Sequence, residues 1–243
     1  PETVAASKKA MELGAQVIAV THAAESPLAK NAHYVILHGF EKNYAAKLEK
    51  MTNVLMLAVE ILNQYEGYAH YDEMQEAFGK IYDVIEKSVS FVLPSAKRFA
   101  EDYKDAPVIY VMSSGATQEV AYAFSICLLM EMQWVNSGSF HDGEFFHGPF
   151  EIVDKDVPFI LLMNEGRTRA LDSRALDFLN RFQAKTTVLD GKDFGIGSEV
   201  PAAVAEYFNP MVLTAVLRVY AEQLAIVRCH PLTQRRYMWK LEY

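Results

Sequence analysis

Three short runs free of charge constrain the fold of this chain more than any other feature: VIYVM at 108–112, PFILLM at 158–163 and TTVL at 186–189. Runs of that length and composition read as buried strands. A helical stretch from about 167 to 184 separates the last two, so the pattern predicts βαβ units and a parallel sheet. The beginning of the chain has the same rhythm. QVIAVT at 16–21 and HYVILHG at 33–39 read as buried strands, joined through a short helical turn at 26–30 that opens with a serine cap and a proline. Apolar residues at helical spacing mark a long helix at 44–65, through Leu48, Met51, Val54, Leu55, Val59 and Leu62. Further helices follow at 72–86 and on to about 103, with Gly67 and Pro94 as punctuation, and a last one runs from 210 to about 228. The expected architecture is α/β, with two domains whose parallel sheets are flanked by helices. Residues 1–66 form the C-terminal part of a first domain, 67–106 a helical connector, and 107–243 a second domain ending in a tail. The first domain is expected to be incomplete, because its elements leave a sheet unfinished. Pro1-Glu2-Thr3, which looks like the first turn of a helix already under way to about Gly14, agrees with this.

Charge narrows the partners. A net charge of −8 argues against nucleic acid, whose phosphate backbone calls for a basic surface. Half the residues are hydrophobic (51%) and 22% are charged, the balance of a soluble globular protein with ample core. No apolar run approaches the ~18 residues of a spanning helix without polar interruption, so no membrane partner is expected. Cys127 and Cys229 lack metal-ligand or C-x-x-C spacing and are expected as free thiols in a reducing cytoplasm. His22, His33 and His38 lie in strands or at their ends and read as packing or edge residues.

The chemistry is concentrated further on. Glu131 is the single formal charge between Val120 and Trp134, in an apolar helical run with no charged partner nearby in sequence. A carboxylate desolvated in that way suits a group that takes and returns a proton; a place on the one solvent-facing line of the helix is the plainer reading. His147 follows in Gly143-Glu144-Phe145-Phe146-His147-Gly148-Pro149, whose glycines and proline forbid a continuous helix. The returning chain can bring its imidazole to Glu131, or to the Glu131 of a second copy, or leave it as a structural residue. Ser113, Ser114 and Thr117 form a hydroxyl-rich turn into the apolar helix, the shape of an anion site and equally of many ligand-free joints. The spacing His141-x-x-Glu144-x-x-His147 fits neither H-E-x-x-H nor a facial triad, so no metal site is expected.

This segment closely resembles the second sugar-isomerase (SIS) domain of the aldose–ketose phosphosugar family, in which a helix with a catalytic glutamate precedes a G-E-x-x-H-G-P turn. Three blocks are similar to its fructosamine-6-phosphate deglycase branch: Met130-Glu131-Met132-Gln133-Trp134, HDGEFFHGPFEI at 141–152, and the tail with His230-Pro231-Leu232-Thr233 and RRYMWK at 235–240. The junction EGYAHY at 66–71 is similar as well. The resemblance runs over nearly the whole chain and implies tandem SIS domains. It implies an enzyme that converts a fructosamine 6-phosphate, such as fructoselysine or fructose-asparagine 6-phosphate, with water to glucose 6-phosphate and a free amino acid. Glu131 would then be the base, and His147 would assist ring opening. A tail lysine of glucosamine-6-phosphate synthase, five residues after a proline, falls on Arg236, where arginine favours recognition of phosphate or carboxylate. Ser113, Ser114 and Thr117 are secondary candidates for substrate contacts, since the family holds the phosphate mainly in its first domain. No metal or redox cofactor is implied, because the substrate's own amine and carbonyl act as the electron sink. The family builds its sites at a dimer interface, which implies a homodimer or larger assembly. P-E-T closes the family's phosphate loop S-x-x-G-x-T-P-E-T, whose remainder would lie upstream of Pro1. The alternatives are a glucosamine-6-phosphate-synthase-like isomerase and a non-catalytic sugar-phosphate-binding module.

Overall fold

The computed structural model describes residues 2–39 and 43–242, so Pro1, expected in the first helical turn, lies outside the described residues. The chain divides into two units, Pro1–Tyr71 and Asp72–Tyr243.

In the first unit the elements are α1 (Glu2–Glu12), β1 (Ile18–Thr21), α2 (Pro27–Lys30), β2 (Tyr34–Leu37) and α3 (Tyr44–Glu66). Ser26 caps α2 by accepting from the Ala29 N–H (3.2 Å), and Asn43 caps α3 by accepting from Ala46 (2.7 Å). The two strands pair in parallel, Ile18 opposite Tyr34 through Thr21 opposite Leu37. They are shorter and less covered than their composition suggested. Only Ala19 is buried, while Tyr34, Val35 and Leu37 are exposed, because a two-stranded ribbon has two free edges and α2 and α3 meet it at β1.

The second unit begins with α4 (Tyr71–Tyr103), one helix of 33 residues where two had been expected either side of Pro94. Pro94 removes one N–H···O bond, but the buried stripe Ile81, Val84, Ile85, Ser88, Val92, Ala96 keeps helical spacing across it, and that burial outweighs the lost bond. From Asp72 onward the helix lies in this unit. After it come β3 (Val108–Ser113), α5 (Gln118–Ala123), β4 (Asn136–His141), β5 (Pro158–Met163), α6 (Arg169–Arg181), β6 (Lys185–Asp190), α7 (Ile196–Glu199) and α8 (Asn209–Val227). The four strands form one parallel sheet in the order β4-β3-β5-β6, with β5 buried along its full length. Both units are therefore α/β with parallel strands. The strand β4, NSGSFH, was not legible, since it has no apolar run and owes its place to pairing with β3 from Val108–Asn136 to Ser113–His141. The helical stretch Ala205–Val227 is long and apolar enough by length and composition to cross a membrane, the one such helix among the described residues, although Arg218 and Glu222 interrupt it. Its Met211, Val212, Leu213, Val216, Leu217 and Leu224 are buried, as in the core helix of a globular unit.

Candidate active site

The helix that carries Glu131 is not a uniform α-helix. Beyond α5 the chain widens into a π-helix over Phe124–Met132, a winding that is rare and found mostly at functional sites. It ends when the Val135 N–H bonds the Leu129 carbonyl (2.9 Å) and Trp134 turns into the left-handed region at φ 56°, a strained backbone for a bulky side chain.

The C-terminal tail returns to this point. Gln133 Nε2 donates to the His230 carbonyl (2.7 Å), and Arg228 donates to the carbonyls of Lys104 and Gln133. Arg235 Nη2 lies 2.9 Å from Glu131 Oε1, with side-chain exposures of 8% and 26%. Glu131 was expected to be alone in an apolar helix; it instead shares an ion pair with a residue of the tail, distant in sequence. Arg235 Nη1 donates to the carbonyls of Leu232 (2.7 Å) and Gln234 (2.9 Å), while its Nε is buried without a partner. The Trp239 ring, also on a left-handed backbone (φ 62°), lies 5.3 Å from the Arg235 guanidinium. Arg236, the expected tail residue, is exposed and stacks on Trp134 at 4.3 Å. His230 meets the same indole edge-on (4.4 Å), and burial, then Arg228, hold its imidazole below the usual pKa.

His147 lies at the other end of the sheet. The π-helix runs back along the sheet and ends before β4 starts, whereas His147 comes after β4 ends, in the turn Phe145–His147. Six residues of strand between them, at roughly 3.3 Å each, place about 20 Å between the two groups. Within one chain the length of β4 thus lies between the elements that carry Glu131 and His147. The loop around His147 is nonetheless firmly held: Phe145 is fully buried among Met112, Phe159, Leu161 and Leu179, and Phe146 packs on Phe178 (5.5 Å) with Arg174 over its ring (4.0 Å). The His147 side chain is exposed above this anchor, and its N–H bonds the Glu144 carbonyl (2.8 Å). His141 accepts from the Gly143 N–H (3.0 Å) and so serves its own turn.

The hydroxyl-rich turn after β3 faces inward. Ser113, Ser114 and Thr117 are all fully buried. Ser113 Oγ bonds Thr117 Oγ1 (2.7 Å) and the Leu162 carbonyl (2.9 Å), Thr117 donates to the Ser114 carbonyl (2.8 Å), and Ser114 donates to Asp172. The three hydroxyls are thus bonded within the protein. Asp172 also accepts from the Asn164 N–H (2.9 Å) and amide (2.8 Å), and it interacts with Asp142, which is 1% exposed. Neither oxygen of the Asp142 carboxyl meets a donor among the described residues. Two buried acids in contact cannot both ionise, and burial, reinforced by Asp172, pushes Asp142 up to about 9. Burial raises the pKa of Asp172 as well. This pair ties the start of the His147 loop to α6 and to the turn after β3. Sequence reasoning passed over Asp142 and Asp172 and gave Arg235 no role beside Glu131; the only visible signal was an aspartate placed directly after a strand and a second arginine beside Arg236. Where the strand connections diverge between β3 and β5, a cleft of about 370 Å³ is lined by Gly115, Ala116, Thr117, Asn164, Arg167, Thr168, Glu206 and Tyr207, so that Thr117 alone of the three hydroxyl residues borders a cleft. Its arginine is already neutralised, Arg167 Nη2 lying 2.6 Å from Glu206 Oε1 and holding that carboxyl below its ordinary pKa.

The chain is 42% identical over all 243 residues to the fructosamine deglycase of Bacillus subtilis, 74% of whose length it spans. It belongs to the SIS phosphosugar family, in its fructosamine deglycase branch. Another member, the fructoselysine 6-phosphate deglycase of Escherichia coli, is 24% identical over 94% of the chain and 66% of its own length. Among solved structures, a proposed phosphosugar isomerase from Salmonella typhimurium superposes with a TM-score of 0.95 at 46% identity, covering 100% of this chain and 75% of that one. No family model matches the chain. Membership of the SIS family makes it an enzyme of phosphosugar chemistry.

Proposed function

We propose that the protein is a deglycase that converts a fructosamine 6-phosphate and water to glucose 6-phosphate and a free amino acid, acting as a homodimer or larger assembly in the cytoplasm. The observation that carries this reading is the 42% identity to a fructosamine deglycase along the whole chain. Glu131, at the end of the π-helix, is the base. It takes a proton from C1 of the open-chain ketose, leaving an enaminol, and returns a proton at C2. The product is an aldimine at C1, whose hydrolysis by water releases the amine and the aldose 6-phosphate. His147 assists ring opening by moving a proton between the ring oxygen and the anomeric hydroxyl. The separation of Glu131 from His147 along β4 supports assembly of the site from two copies, one supplying each group.

Turnover of a panel of fructosamine 6-phosphates by the full-length protein, followed by mass spectrometry for glucose 6-phosphate and amino acid, tests this. Release from one member, abolished in Glu131→Gln and reduced in His147→Asn, is the expected result. A Glu131→Gln protein with near-normal turnover would remove the base. Mixing inactive Glu131→Gln with impaired His147→Asn protein tests the shared site, because subunit exchange restores one intact pair per dimer and hence up to about half of the wild-type activity per mixed dimer, above that of either variant alone.

A further inference from the structure

We propose that Arg235 is a specificity-determining residue that exchanges Glu131 for the carboxylate of the substrate's amino-acid moiety. This rests on the deglycase reading above. A guanidinium presents Nε–H and Nη2–H along one edge, spaced to hold both oxygens of a carboxylate. In Arg235 that edge is half used: Nη2 holds Glu131 Oε1 at 2.9 Å, and Nε is buried with nothing to bond. The opposite nitrogen is fixed by the Leu232 and Gln234 carbonyls, which anchor the guanidinium within the tail without neutralising it. Glu131 is therefore the one acidic partner of Arg235 among the described residues, and it leaves the Nε–H without a bond. A carboxylate that used both donors would outcompete it and also satisfy the orphaned Nε–H.

The exchange links recognition to reactivity. While Arg235 holds Glu131, the guanidinium competes for the lone pair that has to take the C1 proton. Every fructosamine formed from an α-amino acid through its side-chain amine, or through its α-amine, carries a carboxylate near the reacting carbon or at the end of a short chain. Such a substrate frees its own base. A fructosamine formed from a simple amine has no carboxylate and leaves Glu131 paired. Arg235 thus selects amino-acid conjugates over amine conjugates without distinguishing one amino acid from another.

The test compares two substrates that differ only in that group, the 6-phosphorylated fructosamine of an amino acid and that of its decarboxylated amine. The wild-type full-length protein is expected to prefer the carboxylate-bearing substrate by at least about tenfold in kcat/KM. Arg235→Gln is expected to bring the ratio near one, and Arg235→Lys, which keeps the charge but loses the two-donor edge, to give an intermediate ratio. Because both rates are read from one preparation, a folding defect lowers them equally and cancels. An unchanged ratio in Arg235→Gln, or no preference in the wild type, overturns the role of Arg235 while leaving the deglycase reading intact. Release of glucose 6-phosphate from neither substrate sinks both together.

Discussion

The two ends of the second sheet are built from similar polar residues and treat them in opposite ways. At the end where β3 and β4 finish, Ser113, Ser114, Thr117, Asn164 and Asp172 are buried and bonded to one another, and the only buried side-chain atoms there without a hydrogen-bond partner among the described residues are the two carboxyl oxygens of Asp142. At the other end Gln133 Oε1, Arg228 Nε, His230 Nε2 and Arg235 Nε lack partners among the described residues, Trp134, Cys229 and Trp239 have left-handed backbones, and Glu131 is partly open to solvent. Closed networks stabilise; unsatisfied and strained ones leave something for a ligand to complete. The hydroxyl-rich turn has the composition of a site, but the unspent bonding capacity lies where the tail meets the π-helix.

The sharpest way to break this contrast is to substitute one residue at each end and read rate and stability separately. Glu131→Gln is expected to lower kcat on a fructosamine 6-phosphate by roughly 10²–10⁴-fold with little change in the unfolding midpoint. Ser114→Ala is expected to do the reverse, costing about 1–3 kcal/mol in chemical denaturation by depriving Asp172 of a donor, with kcat within about threefold of wild type. A large kcat loss in Ser114→Ala without destabilisation would return that turn to the substrate.

A third experiment sharpens the comparison through pH. Folded Asp142 keeps its proton up to about 9, whereas in the unfolded chain it gives the proton up near 3.8. Between those values the folded state holds the extra proton, so this group's contribution makes stability fall as pH rises. Asp142→Asn has no proton to lose. It is expected to flatten the fall, by up to ~1.4 kcal/mol per pH unit, in thermal midpoints measured across that window. Equal slopes in the two proteins would mean that the acid pair is not protonated. The smallest effect belongs to Arg236→Ala, which removes the stack on Trp134 and is expected to cost about 0.5–1 kcal/mol, since the residue is exposed.

What could be read from the sequence follows from the range of the forces involved. The strands β3, β5 and β6 and the helices α3 and α8 were legible because contiguous or periodic apolar residues report burial locally. Pro94 misled because a local penalty was outweighed by a stripe extending more than a turn on either side. The π-helix was invisible, since its residues would suit an α-helix equally well and only closure onto β4 and the tail selects the wider winding. In the site, Glu131 and His147 could be picked out by their setting, but not their placement at opposite ends of β4, which required knowing that NSGSFH is a strand. Arg235 and Arg236 are adjacent and alike; one enters the protein to meet Glu131 and the other lies on an indole, a difference decided by tertiary packing alone.

The stacking of tail arginines on indoles has a practical consequence. The chain has two tryptophans, Trp134 and Trp239, and each lies over an arginine of the tail, Arg236 and Arg235 respectively. Indole emission of these 243 residues, excited at the red edge of the absorption band, therefore originates from the neighbourhood of Glu131. The protein carries its own optical reporter of that one junction, and a stopped-flow trace of unlabelled enzyme would time the movement of the tail without a dye, a spin label or a single substitution.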